Sequence, residues 1–316
     1  MPDSAGPLRL IIDTDIGTDD ALALIMALRH PGAGIELITT VAGNAPLEYT
    51  TRNALYVAEL CGSDVPVHAG CSRPLLREPG DARHVHGEDG LGDYGFPPPR
   101  RRPGASHAAI ALIETIRAAP GACTLVTLGP LTNVALALSL DSQIATLVRR
   151  CVVMGGAAGL AGNVTAAAEF NIWADAEAAQ IVFRSGLPIT MAGIELCRGA
   201  ARSTVAEYGP LEGCTEPLPQ FAWLMFKHIG GMGRDRYGWQ GEAAIPDAVA
   251  MAIALDPGLM SEYVDCPVEI ETRPGLSYGA TILDRRPGVE VPGNVRVALT
   301  LDVAGYKKLL YRAVGL

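Results

Sequence analysis

Apolar, β-branched runs alternate along most of the chain with longer segments that are rich in Ala and Leu and have a helical period. This alternation is typical of a parallel sheet whose strands are joined by crossover helices. It predicts strands at 8–13, 35–41, 123–128, 150–154 and 187–192. It predicts helices at 19–30, 47–61, 106–118, 130–140, 175–185 and 245–255. We therefore expect an α/β fold, in one large domain or two small ones.

The C-terminal part of the chain has shorter segments separated by Gly and Pro. The segments Val268–Ile270, Thr281–Leu283 and Val295–Leu301 predict a hairpin or a small antiparallel extension, and Val303–Val314 predicts a closing helix. Residues 77–104 are rich in Pro, Gly and charge and form the only linker-like stretch. A loop of that length inside a compact domain is usually functional or mobile.

The composition argues against several classes of protein. The chain is 49% hydrophobic with a formal charge of −9, so we expect no nucleic-acid partner. Its seven cysteines are scattered and form no Cys-x-x-Cys pair, which argues against a disulfide framework and a zinc site. No apolar stretch approaches the roughly 18 residues that span a bilayer, and the N-terminus lacks a leader pattern. We therefore expect a cytoplasmic protein with no membrane partner.

An acidic cluster follows the first predicted strand. Four aspartates, 13, 15, 19 and 20, lie within eight residues at the end of an apolar run. Carboxylates this close raise one another's pKa unless a cation neutralises them, and a hard divalent ion with oxygen ligands is the usual partner. Ligands of such sheets bind beyond the carboxyl ends of the strands. The cluster therefore predicts a metal-dependent enzyme.

Further polar groups follow apolar runs at 128–133, 154–156, 163–171 and 246–247. Gly129-Pro130 lets the carbonyl of Leu128 point into a cleft, where it is an acceptable calcium ligand. His84 and His86 lie in the long loop, but no partner pair elsewhere completes a zinc site. His86 is therefore either a substrate-facing or a solvent-exposed histidine.

Six blocks of sequence, in this order, closely resemble the nucleoside hydrolase family, the inosine-uridine-preferring N-ribohydrolases. They are DTDIGTDDA at 13–21, VAGN at 41–44, HGEDGL at 86–91, GPLTN at 129–133, MGG at 154–156 and EFNIWAD at 169–175. The resemblance implies one Rossmann-like α/β domain over residues 1–316, with a mainly parallel sheet, in a homodimer or homotetramer. It implies a glycosidase of nucleoside metabolism, in purine or pyrimidine salvage, whose small-molecule substrate is a nucleoside.

The resemblance also assigns roles to residues of this chain. It implies that Ca2+ is held by Asp15, Asp20, Asp247 and the carbonyl of Leu128, and that Asp15 is the general base. It implies a substrate-binding set of Asp19, Asn44, His86, Met154, Asn163, Glu169 and Asn171. Carboxylates and amides around a ribose suit this chemistry, because the transition state is positively charged. Taken singly, Asp19 could instead cap a helix, Asn44 could end a strand, and Glu169 and Asn171 could be surface groups.

One position departs from the family pattern. The inosine-uridine-preferring members carry a histidine directly before the last calcium-binding aspartate, and that histidine protonates the leaving base. Pro246 occupies this position here, so the usual leaving-group acid is missing. Residues 223–240 correspond to the helix and loop that cover the base. Weak candidates there for base contact or proton donation are His228, Arg234, Tyr237 and Trp239.

Two other classes of protein compete with this interpretation. A phosphatase of the haloacid dehalogenase type also has Asp-x-Asp after a strand, but Gly17 replaces its expected Thr or Val, and no lysine precedes Lys227. A nucleoside- or ribose-binding protein that kept the calcium site and lost turnover is the second alternative. The retained base Asp15 favours an enzyme. We therefore predict calcium-dependent hydrolysis of the N-glycosidic bond of ribonucleosides to free base and ribose.

Overall fold

The computed structural model describes residues 8–159, 161–287 and 293–316. In these residues the strands are β1 (Leu8–Thr14), β2 (Ala33–Thr40), β3 (Val67–Ala69), β4 (Cys123–Thr127), β5 (Arg150–Met154), β6 (Ile189–Ala192), β7 (Met260–Cys266), β8 (Val268–Ile270), β9 (Thr281–Leu283) and β10 (Val295–Leu301). The helices are α1 (Thr18–Arg29), α2 (Leu47–Leu60), α3 (Arg83–His86), α4 (Ala108–Ala118), α5 (Thr132–Leu140), α6 (Phe170–Ala174), α7 (Ala176–Phe183), α8 (Val205–Tyr208), α9 (Pro217–Tyr237), α10 (Pro246–Leu255) and α11 (Val303–Val314).

The central sheet has eight strands in the order β3-β2-β1-β4-β5-β6-β10-β7. All neighbouring pairs are parallel except β10 and β7. Helices cover both faces, and the central strands are largely apolar: Leu10, Ile11 and Ile12 of β1 are fully buried. Continuous apolar strands are expected where both faces of a parallel sheet are covered. The predicted α/β fold with a mainly parallel sheet is confirmed.

The small antiparallel extension consists of β8 and β9, which within the described residues form a separate two-stranded sheet. The predicted third member of this region, Val295–Leu301, is instead β10 and joins the main sheet beside β6. The physical reason is burial, because Val295, Val297 and Ala298 are buried in the main core. The strand β7 was missed because most of its residues are exposed, as expected of an edge strand.

The carboxyl ends of the parallel strands meet at one edge of the sheet. Asp13 of β1 is in register with Thr39 of β2 and with Thr127 of β4, so the segments that follow these strands emerge side by side. Helices α1 and α10 pack against each other and are buried over most of their length. Their N-termini therefore lie near the same edge. No helix in the described part of the chain is long and apolar enough to cross a membrane.

Candidate active site

The acidic cluster lies where β1 ends and α1 begins. Asp20, in the first turn of α1, is fully buried and has three donors. The hydroxyl of Thr14 donates to its Oδ1 at 2.6 Å, and the backbone N–H of Gly17 and the side-chain amide of Asn44 each donate to its Oδ2 at 2.8 Å. These bonds fix the orientation of the carboxylate. Asp19 is not the N-cap of α1, which is Gly17, so the capping alternative for Asp19 is excluded.

The side chain of Asp15 is fully buried. Its Oδ2 accepts the backbone N–H of Asn44 at 2.7 Å, while its buried Oδ1 has no partner among the described residues. A Cβ on Gly129 would lie 2.5 Å from Oδ1, and one on Gly43 would overlap Oδ2. Both turns therefore require glycine, because the backbone passes directly over the carboxylate.

Asp247 completes the cluster from a distant part of the sequence. It is the second residue of α10, directly after Pro246, and it is buried. Proline is favoured in the first turn of a helix, where its missing N–H costs no hydrogen bond. Oxygens of Asp19, Asp20 and Asp247 lie within 4.8 Å of one another. Asp15, which the family resemblance places in the metal set, lies outside this tightest group.

The charges of the cluster are not neutralised by the protein. Burial, and then repulsion from Asp20, raise the pKa of Asp15 well above its ordinary value; burial and its three aspartate neighbours do the same for Asp247. Burial raises the pKa of Asp19 to about 6. Among the described residues, no lysine or arginine pairs with these carboxylates, and Oδ1 of Asp19 also lacks a partner. Buried, unpaired oxygens of this kind fit a divalent cation.

The carbonyl of Leu128 faces the same space. Leu128 follows β4, and its N–H donates to the carbonyl of Asp13 at 2.8 Å. Its oxygen leaves the strand ladder and accepts the side-chain amide of Asn171 at 2.6 Å. The same amide contacts the carbonyl and the sulfur of Met154 at 3.3 and 3.1 Å. Asn171 therefore joins the ends of β4 and β5.

Glu169 joins the segment after β5 to the start of α6. Its carboxylate accepts backbone N–H groups from Gly156 at 2.9 Å and from Asn171 and Ile172 at 2.9 and 3.3 Å, and so it caps α6. Burial raises its pKa to about 7. Glu169 and Asn171 are only 2% and 5% exposed, so the surface interpretation of both is wrong. Asn163 is exposed and accepts the N–H of Phe170 through its Oδ1 at 2.9 Å.

His86, at the end of α3, is 8% exposed, so the solvent-exposed alternative is wrong. The backbone N–H of Thr18 donates to its Nδ1 at 3.2 Å. Nδ1 is therefore unprotonated, and the neutral ring carries its proton on Nε2. Burial lowers the pKa of His86 to about 4, which keeps the ring neutral near pH 7.

Two adjoining cavities open above the acidic cluster. The smaller, of about 130 Å³, has polar walls and is lined by Asp19, Asn44, His86, Leu128, Met154, Asn163, Glu169, Asn171 and Asp247, with neighbours from α9 and α10. The larger, of about 460 Å³, has more apolar and aromatic walls, including Ile229, Met232, Tyr237 and Trp239. Asp19, His86 and Asn163 line both. The pair of cavities suits a ligand with a small polar part and a flat apolar part.

The four candidates of the segment 223–240 differ in whether they line a cavity. Tyr237 lines both cavities and Trp239 the larger one, with ring centroids 4.8 Å apart in a stacked pair. His228 and Arg234 line neither cavity. The ring Nε2 of His228 lies 2.8 Å from the carbonyl of Val85, and Arg234 lies beside Asp235 on the surface. The structure therefore gives neither residue a place on the wall of either cavity.

Sequence reasoning missed one charged residue, Arg236, which lines both cavities. It lies in the segment that the resemblance places over the base, and this position was the only available signal. The sequence gives no reason to prefer Arg236 over Arg234, because both are exposed arginines near the end of one helix.

A family model described as inosine-uridine preferring nucleoside hydrolase matches residues 10–308. The chain belongs to this family. This nucleoside hydrolase is 40% identical over 301 residues to the non-specific ribonucleoside hydrolase RihC of Salmonella newport, covering 95% of each chain. The predicted family and the predicted enzyme class, N-ribohydrolases, are confirmed. The phosphatase alternative is excluded.

Solved structures of other proteins resemble this chain over nearly its whole length. A plant nucleoside hydrolase, the PpNRh1 enzyme, is 33% identical, with a TM-score of 0.91 over 98% of this chain and 100% of that one. A purine-preferring ribonucleoside hydrolase from Gardnerella vaginalis is 29% identical, with a TM-score of 0.90 over 97% and 98% of the two chains. The fold of this chain is therefore the fold of these nucleoside hydrolases over nearly its whole length.

Proposed function

We propose that this nucleoside hydrolase hydrolyses the N-glycosidic bond of ribonucleosides to free base and ribose, and that the reaction depends on calcium. The observation that carries the proposal is the buried acidic cluster, with unpartnered carboxylate oxygens, beneath a polar cavity that adjoins an aromatic one. The name of the Salmonella relative, a non-specific ribonucleoside hydrolase, supports ribonucleosides as the substrate class.

The donor set favours Ca2+ over softer metals. The proposed ligands of the ion are Asp15, Asp20, Asp247 and the carbonyl of Leu128. Asp19 lies close enough to Asp20 and Asp247 to contribute a further oxygen. All of these donors are oxygens, which calcium prefers, and none is a thiolate or imidazole. The ion supplies Lewis acidity, which lowers the pKa of a water and orients it.

Asp15 is the general base. Its Oδ2 is held by the N–H of Asn44, whereas Oδ1 has no hydrogen-bond partner among the described residues and is free to accept a proton. The glycines at 43 and 129 keep the backbone close to this carboxylate, so its position is fixed before substrate binds. A base held in place in this way does not need to reorganise during the reaction.

The small cavity takes the ribose. Its substrate-binding set is Asp19, Asn44, His86, Met154, Asn163, Glu169 and Asn171. Carboxylate and amide oxygens around the sugar stabilise the positive charge that develops on the ring as the glycosidic bond breaks. Neutral His86 contributes a hydrogen-bond donor through Nε2. The larger cavity, with Tyr237 and Trp239, takes the base.

Ribose release from a panel of substrates tests the proposal. The panel is uridine, inosine, adenosine and p-nitrophenyl riboside, each with and without a calcium chelator. We expect chelator-sensitive release, restored by added Ca2+, at least from p-nitrophenyl riboside, whose aglycone leaves without a proton. Binding of ribose without release from any substrate would support the nucleoside-binding alternative. Release that survives complete chelation would contradict the calcium requirement.

Several expectations about this chain stay predictions. They are one domain over residues 1–316, a homodimer or homotetramer, a cytoplasmic location and a role in purine or pyrimidine salvage. Sedimentation of the purified protein would determine the oligomer, with one peak at two or four chain masses expected.

A further inference from the structure

We propose that Arg236 stabilises the departing base as an anion and thereby takes the place of a proton donor at position 246. This inference rests on the proposed function and adds the residue that activates the leaving group. It concerns the region where the two cavities meet, which Arg236 lines.

Position 246 itself gives no help to a leaving base. Pro246 lines both cavities, at the start of α10. Proline has no polar side chain and no backbone N–H, so it can donate neither a proton nor a hydrogen bond. The electron pair of the breaking bond must therefore be accommodated by another group on the cavity wall.

Arg236 is the one Lys or Arg among the described residues that lines both cavities. It thus borders the junction where a bond between sugar and base would lie. Arg198 lines only the larger cavity, and its guanidinium donates to the carbonyl of Ala161 at 2.8 Å. Arg202 stacks on Trp239 at 4.5 Å. Each of these two arginines therefore already has a contact that holds its guanidinium.

The guanidinium of Arg236 remains available for a ligand. It forms no ion pair or hydrogen bond within the described residues, and its one ring contact is a distant one, 5.9 Å from the centroid of Tyr237. The neighbouring Asp235 lies beside Arg234 instead, at 3.7 Å. A guanidinium stays charged at every working pH and presents parallel N–H donors, which match the adjacent nitrogen and oxygen acceptors of a deprotonated base.

The step balances without an external acid. The C1′–N bond breaks and its electron pair goes to the base nitrogen, where Arg236 donates hydrogen bonds to the resulting anion. The water oxygen bonds to C1′, and the water proton goes to Asp15. The base anion then takes a proton from solvent, and Asp15 returns its proton to solvent. The sum is nucleoside plus water giving ribose plus base.

The test compares Arg236→Gln, Arg236→Lys and the control Arg234→Gln on two kinds of substrate. Arg234 lies two residues away on the same helix and lines neither cavity. Uridine and inosine leave poorly without help, whereas p-nitrophenolate is already a stable anion. Because loss of one charge-stabilising donor typically lowers kcat by about 100-fold, we expect that loss for Arg236→Gln on uridine and inosine.

On p-nitrophenyl riboside we expect Arg236→Gln to retain kcat within about threefold, because little leaving-group stabilisation is needed there. Arg236→Lys, which keeps the charge without the planar fork, should fall between wild type and Arg236→Gln. Arg234→Gln should match wild type on all three substrates.

Other outcomes overturn the proposal. An equal loss of kcat by Arg236→Gln on all three substrates would assign Arg236 a structural role, and no loss on any would remove it from the reaction. A wild-type enzyme that hydrolyses p-nitrophenyl riboside but neither natural nucleoside would show that Arg236 does not activate their bases. Wild type inactive on every substrate would overturn the proposed function itself.

Discussion

The acidic floor of the site and its cover over the base cavity are built in opposite ways. The floor consists of Asp15, Asp20 and Asp247 at the ends of buried elements, with hydrogen bonds and close glycines that fix the first two. The cover is the end of α9, where Arg236 and Tyr237 are exposed, and within the described residues their side chains have ring contacts but no hydrogen bond or ion pair.

This difference matches two parts of the proposed reaction: the steps that are the same for every substrate, and the step that depends on the base. Activation of water and stabilisation of a ribosyl cation are common to every N-riboside, and the residues we assign to them are buried, with the exception of Asn163. Leaving-group activation depends on the base, and the residues we assign to it are on the surface. A surface residue changes without loss of the fold, because few contacts depend on it.

The largest effect is expected from Asp15→Asn, which removes the proposed base from the floor. We expect kcat for p-nitrophenyl riboside to fall by about 1,000-fold, in line with the contribution of a general base. The melting temperature should not fall, because the amide relieves repulsion from Asp20. Ribose release and thermal unfolding measure the two effects. The control is Asp235→Asn on the exposed cover, and activity retained by Asp15→Asn would remove Asp15 from catalysis.

Calcium should stabilise the floor, with an effect that depends on pH. At about 100 times its Kd, Ca2+ is expected to raise the free energy of unfolding by about 2.7 kcal/mol. Thermal unfolding with and without a chelator measures this shift. Asp247→Asn should reduce it strongly, whereas Asp235→Asn should not.

The sign of the pH dependence follows from the raised pKa values. Without a cation, the folded chain binds protons on Asp15, Asp19 and Asp247 that the unfolded chain has lost above about pH 4. The stability these groups contribute is therefore full below about pH 4 and is lost as pH rises through the folded pKa, about 6 for Asp19. Calcium replaces those protons, so its stabilisation should be larger at pH 8 than at pH 5. An equal shift at both pH values would contradict this linkage.

A single methyl group should disturb the floor. The Cβ of Gly129→Ala would lie 2.5 Å from Oδ1 of Asp15, and we expect about 2 kcal/mol of destabilisation together with loss of activity. Denaturant unfolding measures the free energy. Gly209→Ala is the matched control, since a Cβ there meets nothing within 4 Å and the backbone φ is −54°. Equal stability of the two variants would contradict this prediction, because it would show that the backbone around Asp15 can move to accept the methyl group.

The smallest effect is expected from Pro246→His, at the start of α10, where the proline lines both cavities. We expect kcat for inosine to rise by about tenfold, a modest share of the usual contribution of a general acid, with little change for p-nitrophenyl riboside. Pro217→His, at the first residue of α9, makes the same change away from both cavities. A fall in kcat for inosine would mean that position 246 is no longer compatible with a proton donor.

Local pattern was sufficient to predict the main elements and part of the site. The predicted strand at 8–13 and the predicted helix at 19–30 lie within one residue of β1 and α1 at each boundary. Asp15 and Asp20 follow directly from this local order, because they lie between a buried strand and a buried helix. The Gly129-Pro130 turn made the carbonyl of Leu128 a candidate ligand, but only the family resemblance joined Asn44, Leu128 and Asp247 to the aspartates of β1 and α1, since separation in sequence carries no distance information.

Other features could be assigned only from the folded structure. The sequence placed Val295–Leu301 outside the main sheet, whereas burial of its valines inserts it beside β6. The tautomer of His86 depends on an N–H of Thr18 in another element. Arg236 and Arg234 cannot be told apart along the helix, and only the direction of each side chain relative to the cavities distinguishes them.

The sequence by itself determined the α/β pattern and a dense carboxylate cluster from which a cation site is predicted, because hydrophobic period and charge proximity are local properties. The tertiary structure alone decided which groups surround that cluster. Packing of α1 against α10 brings Asp247 to Asp20, and the order of the strands brings Leu128 and Asn171 together. Such contacts are set by burial of distant apolar faces against one another, which no local pattern specifies.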